Sequence, residues 1–93
     1  MSYLKNGRDA NEPELVKFWK QLGYKWIPMR AGQGFDGLLI TPLNIYIVEI
    51  KNPAKKWKLE DNEKKLKEDV EYFGHEYHII ETMQDAEYLA GVI

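Results

Sequence analysis

The sequence predicts an α/β domain, a mixed four-stranded sheet with helices packed on it, in the order αβββαβα. Three observations predict this. Apolar residues recur at helical spacing in "NEPELVKFWKQLG" (11–23) and again over 60–73. Between these segments lie short apolar runs, divided by a glycine-rich loop and a "TPLN" turn. One run, "IYIVEIKN" (45–52), is almost continuously apolar and β-branched, the pattern of a central strand buried on both faces.

Residues 1–8 read as a loose lead-in. In the first helix Leu15, Phe18, Trp19 and Leu22 fall at i, i+3, i+4 and i+7 and form one apolar face. Asn11 and Glu14 have capping-box spacing, Pro13 suits a first turn, and Gly23 ends the helix. "YKWIPMR" is a short first strand that ends near Pro28, and "AGQGFDG" is a glycine-rich loop. "FDGLLI" is the second strand, "TPLN" a turn and "IYIVEIKN" the third strand. "PAKKWKLED" is a polar loop. Residues 60–73 form the second helix, with Leu59, Leu66, Val70 and Phe73 facing inward and Gly74 as the stop. A crossover through this helix allows strands 3 and 4 to be parallel. "EYHIIE" is the fourth strand, and "MQDAEYLAGVI" a short closing helix.

With 93 residues, the chain is read as one domain over 1–93. A domain this small buries only about 60–65% of its unfolded surface, so a dimer interface would help it. The apolar fraction of 44% suits a globular chain rather than a disordered one. There are no cysteines, which excludes disulfides and thiolate metal sites and fits a cytosolic protein. The polar start "MSYLKNGRDANEPE" lacks the apolar core of a signal peptide, and no run is long enough to span a membrane. The expected location is cytoplasmic. The net charge of −2 is not that of a simple nucleic-acid coat, so local charge patterning must carry any such binding.

The apolar middle of the chain holds three charges, Asp36, Glu49 and Lys51. Glu49 and Lys51 are two apart on one strand and share a face. If Pro42-Leu43 is a two-residue connection, Thr41 pairs with Asn44 and Asp36 lies directly across from Glu49. A looser turn shifts this by one residue and turns Asp36 to the other face, unless a bulge corrects it. The expected result is two carboxylates close together, with an ammonium beside them. Unpaired, they would be costly in a largely apolar sheet. A divalent cation offsets that cost, and oxygen ligands without Cys or convergent His suit Mg²⁺ or Mn²⁺. The plainer alternative makes Glu49 and Lys51 solvated charges at a strand end.

Taken together, G-F-D followed thirteen positions later by the Glu of V-E-I-K resembles the D-x(n)-E-x-K core of the PD-(D/E)xK nuclease superfamily. The stretch from Gly7 to Ile40 resembles the start of archaeal-type Holliday-junction resolvases. The stretch from Val48 to Leu89 resembles the VRR-NUC branch, whose standalone members in phages and bacteria are about this short. The similarity covers nearly the whole chain. Phe35 replaces the Pro that commonly precedes the Asp, and Glu63 stands where VRR-NUC proteins commonly have Gln. The resemblance implies a restriction-endonuclease-like αβββαβ core and a bacterial or phage-infected cell.

For the site, the resemblance implies Asp36 and Glu49 as Mg²⁺ ligands, the Ile50 carbonyl as a third ligand, and Lys51 orienting or helping to deprotonate the attacking water. Mn²⁺ would substitute. A helix-1 acid adds a metal ligand or water-holder, and the motif match puts it at Glu12. At about 100° per residue, Glu12 lies about 70° and Glu14 about 90° from the centre of the apolar face, so spacing alone leaves both open. Glu63 would face inward and need a partner such as Lys51, unless it is only a helix-start acid favoured by the dipole.

The implied activity is phosphodiester hydrolysis by a structure-selective endodeoxyribonuclease, acting on Holliday junctions or other branched DNA. The runner-up is a catalytically inactive nuclease-fold module that binds DNA or another protein. Lys55, Lys56 and Lys58 surround Trp57, and basic residues interleaved with an aromatic suit a phosphate backbone with an exposed base. Lys64 extends this region along helix 2, with Lys65 and Lys67, and Arg30 could touch phosphate beside the glycine loop. The alternatives are solvated lysines and a core or dimer aromatic at Trp57. His75 and His78 lack acidic or Cys partners at ligand spacing and read as structural. A chain this short cannot cover a junction alone, which favours a homodimer, with a helicase or a replication or repair protein as a possible partner.

Overall fold

The computed structural model describes residues 9–92. The lead-in expected at 1–8, including Gly7 of the resolvase-like pattern, lies outside the described residues. Three helices and a mixed sheet follow in the expected order: α1 (Glu12–Gln21), β1 (Lys25–Pro28), β2 (Gly37–Ile40), β3 (Ile45–Ile50), α2 (Asp61–Tyr72), β4 (Tyr77–Ile80) and α3 (Met83–Ala90). The sheet order is β1-β2-β3-β4. The first two pairings are antiparallel and β3 with β4 is parallel, as the α2 crossover requires. No helix among the described residues is long and apolar enough to cross a membrane.

The β2–β3 hairpin turns through Pro42-Leu43. Thr41 N–H donates to the Asn44 carbonyl at 2.9 Å, and Thr41 Oγ1 accepts from Leu43 and Asn44 N–H. The register is therefore Ile40 with Ile45 and Gly37 with Val48, the tight-turn register. Alternation then sends Val48 and Ile50 to one face of the sheet, and Glu49 and Lys51 to the other.

The Val48 and Ile50 face carries the core. Leu15, Val16 and Trp19 of α1 and Ala86 of α3 cluster there with Trp26, Leu39 and Ile80. Trp19 is fully buried, stacks on Trp26 at 5.4 Å between centroids, and donates its indole N–H to the Ala86 carbonyl at 3.1 Å. α2 lies on the opposite face, where its Glu63 meets Lys51.

Four local expectations are corrected. The buried face of α1 is Glu12, Leu15, Val16 and Trp19, whereas Leu22 is exposed. The helix is rotated because it must cover both the sheet and α3, and this rotation takes Glu12 inside. Asn11 does not cap α1, for its backbone is already helical (φ −81°, ψ −11°). Its side-chain N–H group instead donates to the carbonyls of Lys51 (3.1 Å) and Glu81 (2.8 Å), satisfying two strand-end acceptors.

Phe73, expected inside, is 73% exposed. It occupies the C-cap of α2, past the last helical residue Tyr72. β3 is interior but buried only over Val48–Ile50, and Ile45 is 65% exposed. Pairing with β4 begins at Ile47, which leaves the start of β3 uncovered on that side.

Gly23 ends α1 as expected. With φ 85° it allows Gly23 N–H to reach the Lys20 carbonyl and Tyr24 N–H the Trp19 carbonyl, a Schellman closure.

Candidate active site

The site forms where the β2–β3 ladder runs out. The last β2–β3 pair is Gly37 with Val48, so Ile50 N–H has no strand carbonyl on that side. Asp36 supplies the missing acceptor, and Ile50 N–H donates to its Oδ2 at 2.7 Å. The Asp36 main chain is fixed as well, with its N–H on the Val48 carbonyl (2.9 Å) and its carbonyl accepting from Met29 N–H (2.8 Å). Gly37 and Asp36 thus both oppose Val48, so the register slips by one at a bulge and Asp36 does not pair directly across from Glu49 as the tight turn alone would have it. N–H and C=O of one strand residue point to the same side, so the Ile50 carbonyl shares the edge on which Asp36 sits.

Asp36, Glu49, Lys51, Glu63 and Glu12 are all buried. Lys51 Nζ lies 3.1 Å from Glu49 Oε2 and 2.9 Å from Glu63 Oε1. Burial disfavours the ammonium, but the hydrogen bonds to Glu63 and Glu49 outweigh it, and the pKa is raised above 10.5. Glu63 also accepts the Glu60 N–H at 2.9 Å, so one carboxylate caps α2 and holds Lys51. Burial pushes the Glu63 carboxyl up. The Glu60 N–H and Lys51 outweigh it, and the pKa falls from 4.5 to about 2.

That shift gives an acid limb. A carboxyl depressed in the fold stabilises fully above its unfolded value and loses the contribution as pH falls through 4.5 toward about 2. The expected loss is roughly 3 kcal/mol across this window. Urea denaturation at a series of pH values checks it. Glu63→Gln, which keeps an acceptor for Glu60 N–H, should flatten the limb.

Glu12 is buried at the start of α1, while Glu14 is exposed, so burial separates the two acids that spacing left open. Glu12 borders a groove between α1 and β1, together with Pro13, Val16, Trp26 and Pro28. Among the described residues no three acidic, His or Cys side chains converge at metal-ligand spacing. Glu12 thus forms no such group with Asp36 and Glu49, and a cation at this strand end would have as its donor set Asp36, Glu49 and the Ile50 carbonyl. It is all oxygen and suits an ion that keeps several waters, as Mg²⁺ does. Asp36 meets the Ile50 N–H through Oδ2 and Glu49 meets Lys51 through Oε2, and a carboxylate has acceptor capacity on both oxygens.

Two residues escaped the sequence reading. Tyr77, buried on β4, donates its hydroxyl to the Gly34 carbonyl at 2.6 Å and ties the glycine loop to the sheet. Burial, then the charges of Glu49, Glu63 and Asp36, push the phenol pKa up, so it stays a donor. Gly34 has φ 86°, and a Cβ there would meet the Asn62 carbonyl at 2.8 Å. Glu81, at the end of β4, accepts the Trp57 indole N–H at 2.8 Å. An aromatic with a polar tip opening the strand after the crossover was the available signal for Tyr77. Glu81 had none.

The basic residues lie at the surface. Lys55, Lys56, Lys58, Lys64 and Arg30 are exposed. Arg30 borders a cleft of about 130 Å³ beside Gly34, Glu60 and Glu63. Lys65 and Lys67 pair with Asp69 and Glu71 one helical turn on. Trp57 is 38% exposed, and Lys51 Nζ sits 5.9 Å from its ring centroid. His78 packs edge-on against Tyr46, and burial lowers its pKa, whereas His75 is exposed. No family model, curated protein or solved structure matches the chain.

Proposed function

We propose that the protein is a divalent-cation-dependent endodeoxyribonuclease of the PD-(D/E)xK type, close to the VRR-NUC and archaeal resolvase branches, acting on branched DNA. The observation that carries this reading is the buried cluster at the end of an interior strand. There Asp36 is locked to Ile50 N–H, and Lys51 stands between Glu49 and Glu63. Burying that much charge in a small domain is costly without a task.

Asp36, Glu49 and the Ile50 carbonyl would hold Mg²⁺, with Mn²⁺ as a substitute. Such an ion supplies a lowered water pKa and stabilises charge on the phosphoryl group. Lys51, kept charged by Glu49 and Glu63, orients the attacking water and offsets phosphate charge. Glu63 holds Lys51 in place, and Glu12 is assigned to water-holding. Arg30, Lys55, Lys56, Lys58 and Lys64 contact the backbone. A homodimer would present two such sites to a four-way junction.

One observation favours a second reading. The bonds from Lys51 to both acids form a compact ion-pair network that would also suit a nuclease-fold module that grips DNA without cutting. A cleavage assay decides between them. Labelled four-way junction, flap and linear duplex are incubated with Mg²⁺, Mn²⁺ or EDTA. Metal-dependent paired nicks in the junction are expected. Cutting of flaps or ends keeps the chemistry and moves the role to repair or replication. No cleavage of any substrate with either metal would refute the enzyme reading, and binding unaffected by EDTA would then support the module.

A further inference from the structure

Trp57 is the residue of the basic loop that the structure anchors. Its indole N–H is held by Glu81 Oε2 at 2.8 Å. Glu81 is itself fixed, with its main-chain N–H on Asp85 Oδ2 at 3.0 Å and its carbonyl accepting from Asn11 at 2.8 Å. One face of the indole looks onto the Lys51 ammonium at 5.9 Å. Yet the residue is 38% exposed, and its neighbours in the loop are the exposed Lys55, Lys56 and Lys58. An aromatic ring held through its indole N–H, partly open to solvent and flanked in the loop by exposed lysines is a surface for a nucleobase with its phosphates.

We propose that Trp57 is a stacking platform for an unpaired nucleobase, and that it sets which phosphate reaches Lys51. The second part rests on the nuclease reading; the first does not. A base is separated from its own phosphate by one sugar. A base on this ring therefore brings a neighbouring phosphate to the ammonium on which the ring lies. Paired bases inside a duplex present no free face. The platform selects flaps, single-stranded ends and open junction centres over continuous duplex.

The chain has three tryptophans, and Trp19 and Trp26 are buried against each other, so a ligand-induced fluorescence change reports Trp57. The full chain is titrated in EDTA with a short oligothymidylate and with a blunt linear duplex of equal phosphate number. The oligothymidylate should quench the emission and the duplex should not. Anisotropy of the labelled strands gives the affinities directly. Trp57→Ala should weaken oligothymidylate binding about 10-fold and leave duplex binding unchanged, while Trp57→Phe restores most of the loss. No quenching by oligothymidylate, or a Trp57→Ala affinity equal to the parent's, would overturn the proposal. Because binding is read without metal, its failure is separate from a failure of cleavage. Quenching without any cleavage would retain the platform and remove the nuclease.

Discussion

On the proposed nuclease reading, Asp36→Asn should lower cleavage of branched DNA by about 10³-fold or more at saturating Mg²⁺, with the fold intact. The substitution separates the structural bond that Asp36 makes from the metal-binding role proposed for it. Its Oδ2 accepts the Ile50 N–H at 2.7 Å, at the point where β2 no longer provides a carbonyl. An asparagine side-chain oxygen can accept the same bond, so the strand end stays closed. What is lost is the negative charge and its affinity for a hard cation. Single-turnover kinetics measures the rate, and a thermal melt that moves by only a few degrees shows that the structure survives. Cleavage within tenfold of the parent protein's would remove Asp36 from the proposed site. Asp36→Ala is a poorer probe, because it also leaves the buried Ile50 N–H without its acceptor.

Trp19→Ala should cost about 3–5 kcal/mol of stability, enough to unfold a large fraction of a domain of this size at 25 °C. Trp19 is fully buried, packs on Trp26, and bonds the Ala86 carbonyl through its indole N–H, so it joins α1, β1 and α3. Truncation leaves a large cavity and removes a buried hydrogen bond together. Trp19→Phe removes the hydrogen bond but keeps most of the packing, and should cost markedly less. Urea denaturation followed by circular dichroism gives both values. A loss below about 1 kcal/mol for Trp19→Ala would mean that α1 is not fixed to the sheet through this residue.

The sheet and the strand-borne part of the site were legible in the sequence because they rest on short-range rules. Strand alternation puts Glu49 and Lys51 on one face whatever else the chain does. The Pro42-Leu43 connection sets the hairpin register as far as Gly37 with Val48, whereas the bulge that places Asp36 was decided by the fold. The helix stops at Gly23 and Gly74 likewise need only backbone conformations that glycine adopts readily.

Side chains on the helices and loops were decided by tertiary structure. A helical pattern defines an apolar stripe, but the rotation of the helix depends on what it packs against. For this reason Leu22 lies outside and Glu12 inside. Asn11 carries a capping signal, yet two strand-end carbonyls far away in sequence take its side chain. Spacing leaves Glu63 either an inward-facing acid or a helix-start acid, and only the fold shows one carboxylate meeting both Glu60 N–H and Lys51. Trp57 over Lys51, and Tyr77 on Gly34, join loops and strands that no local period relates. Local sequence determines which way a strand residue points. Only the packed molecule determines which distant partner a helix or loop residue finds, because its free energy depends on contacts made across the whole fold.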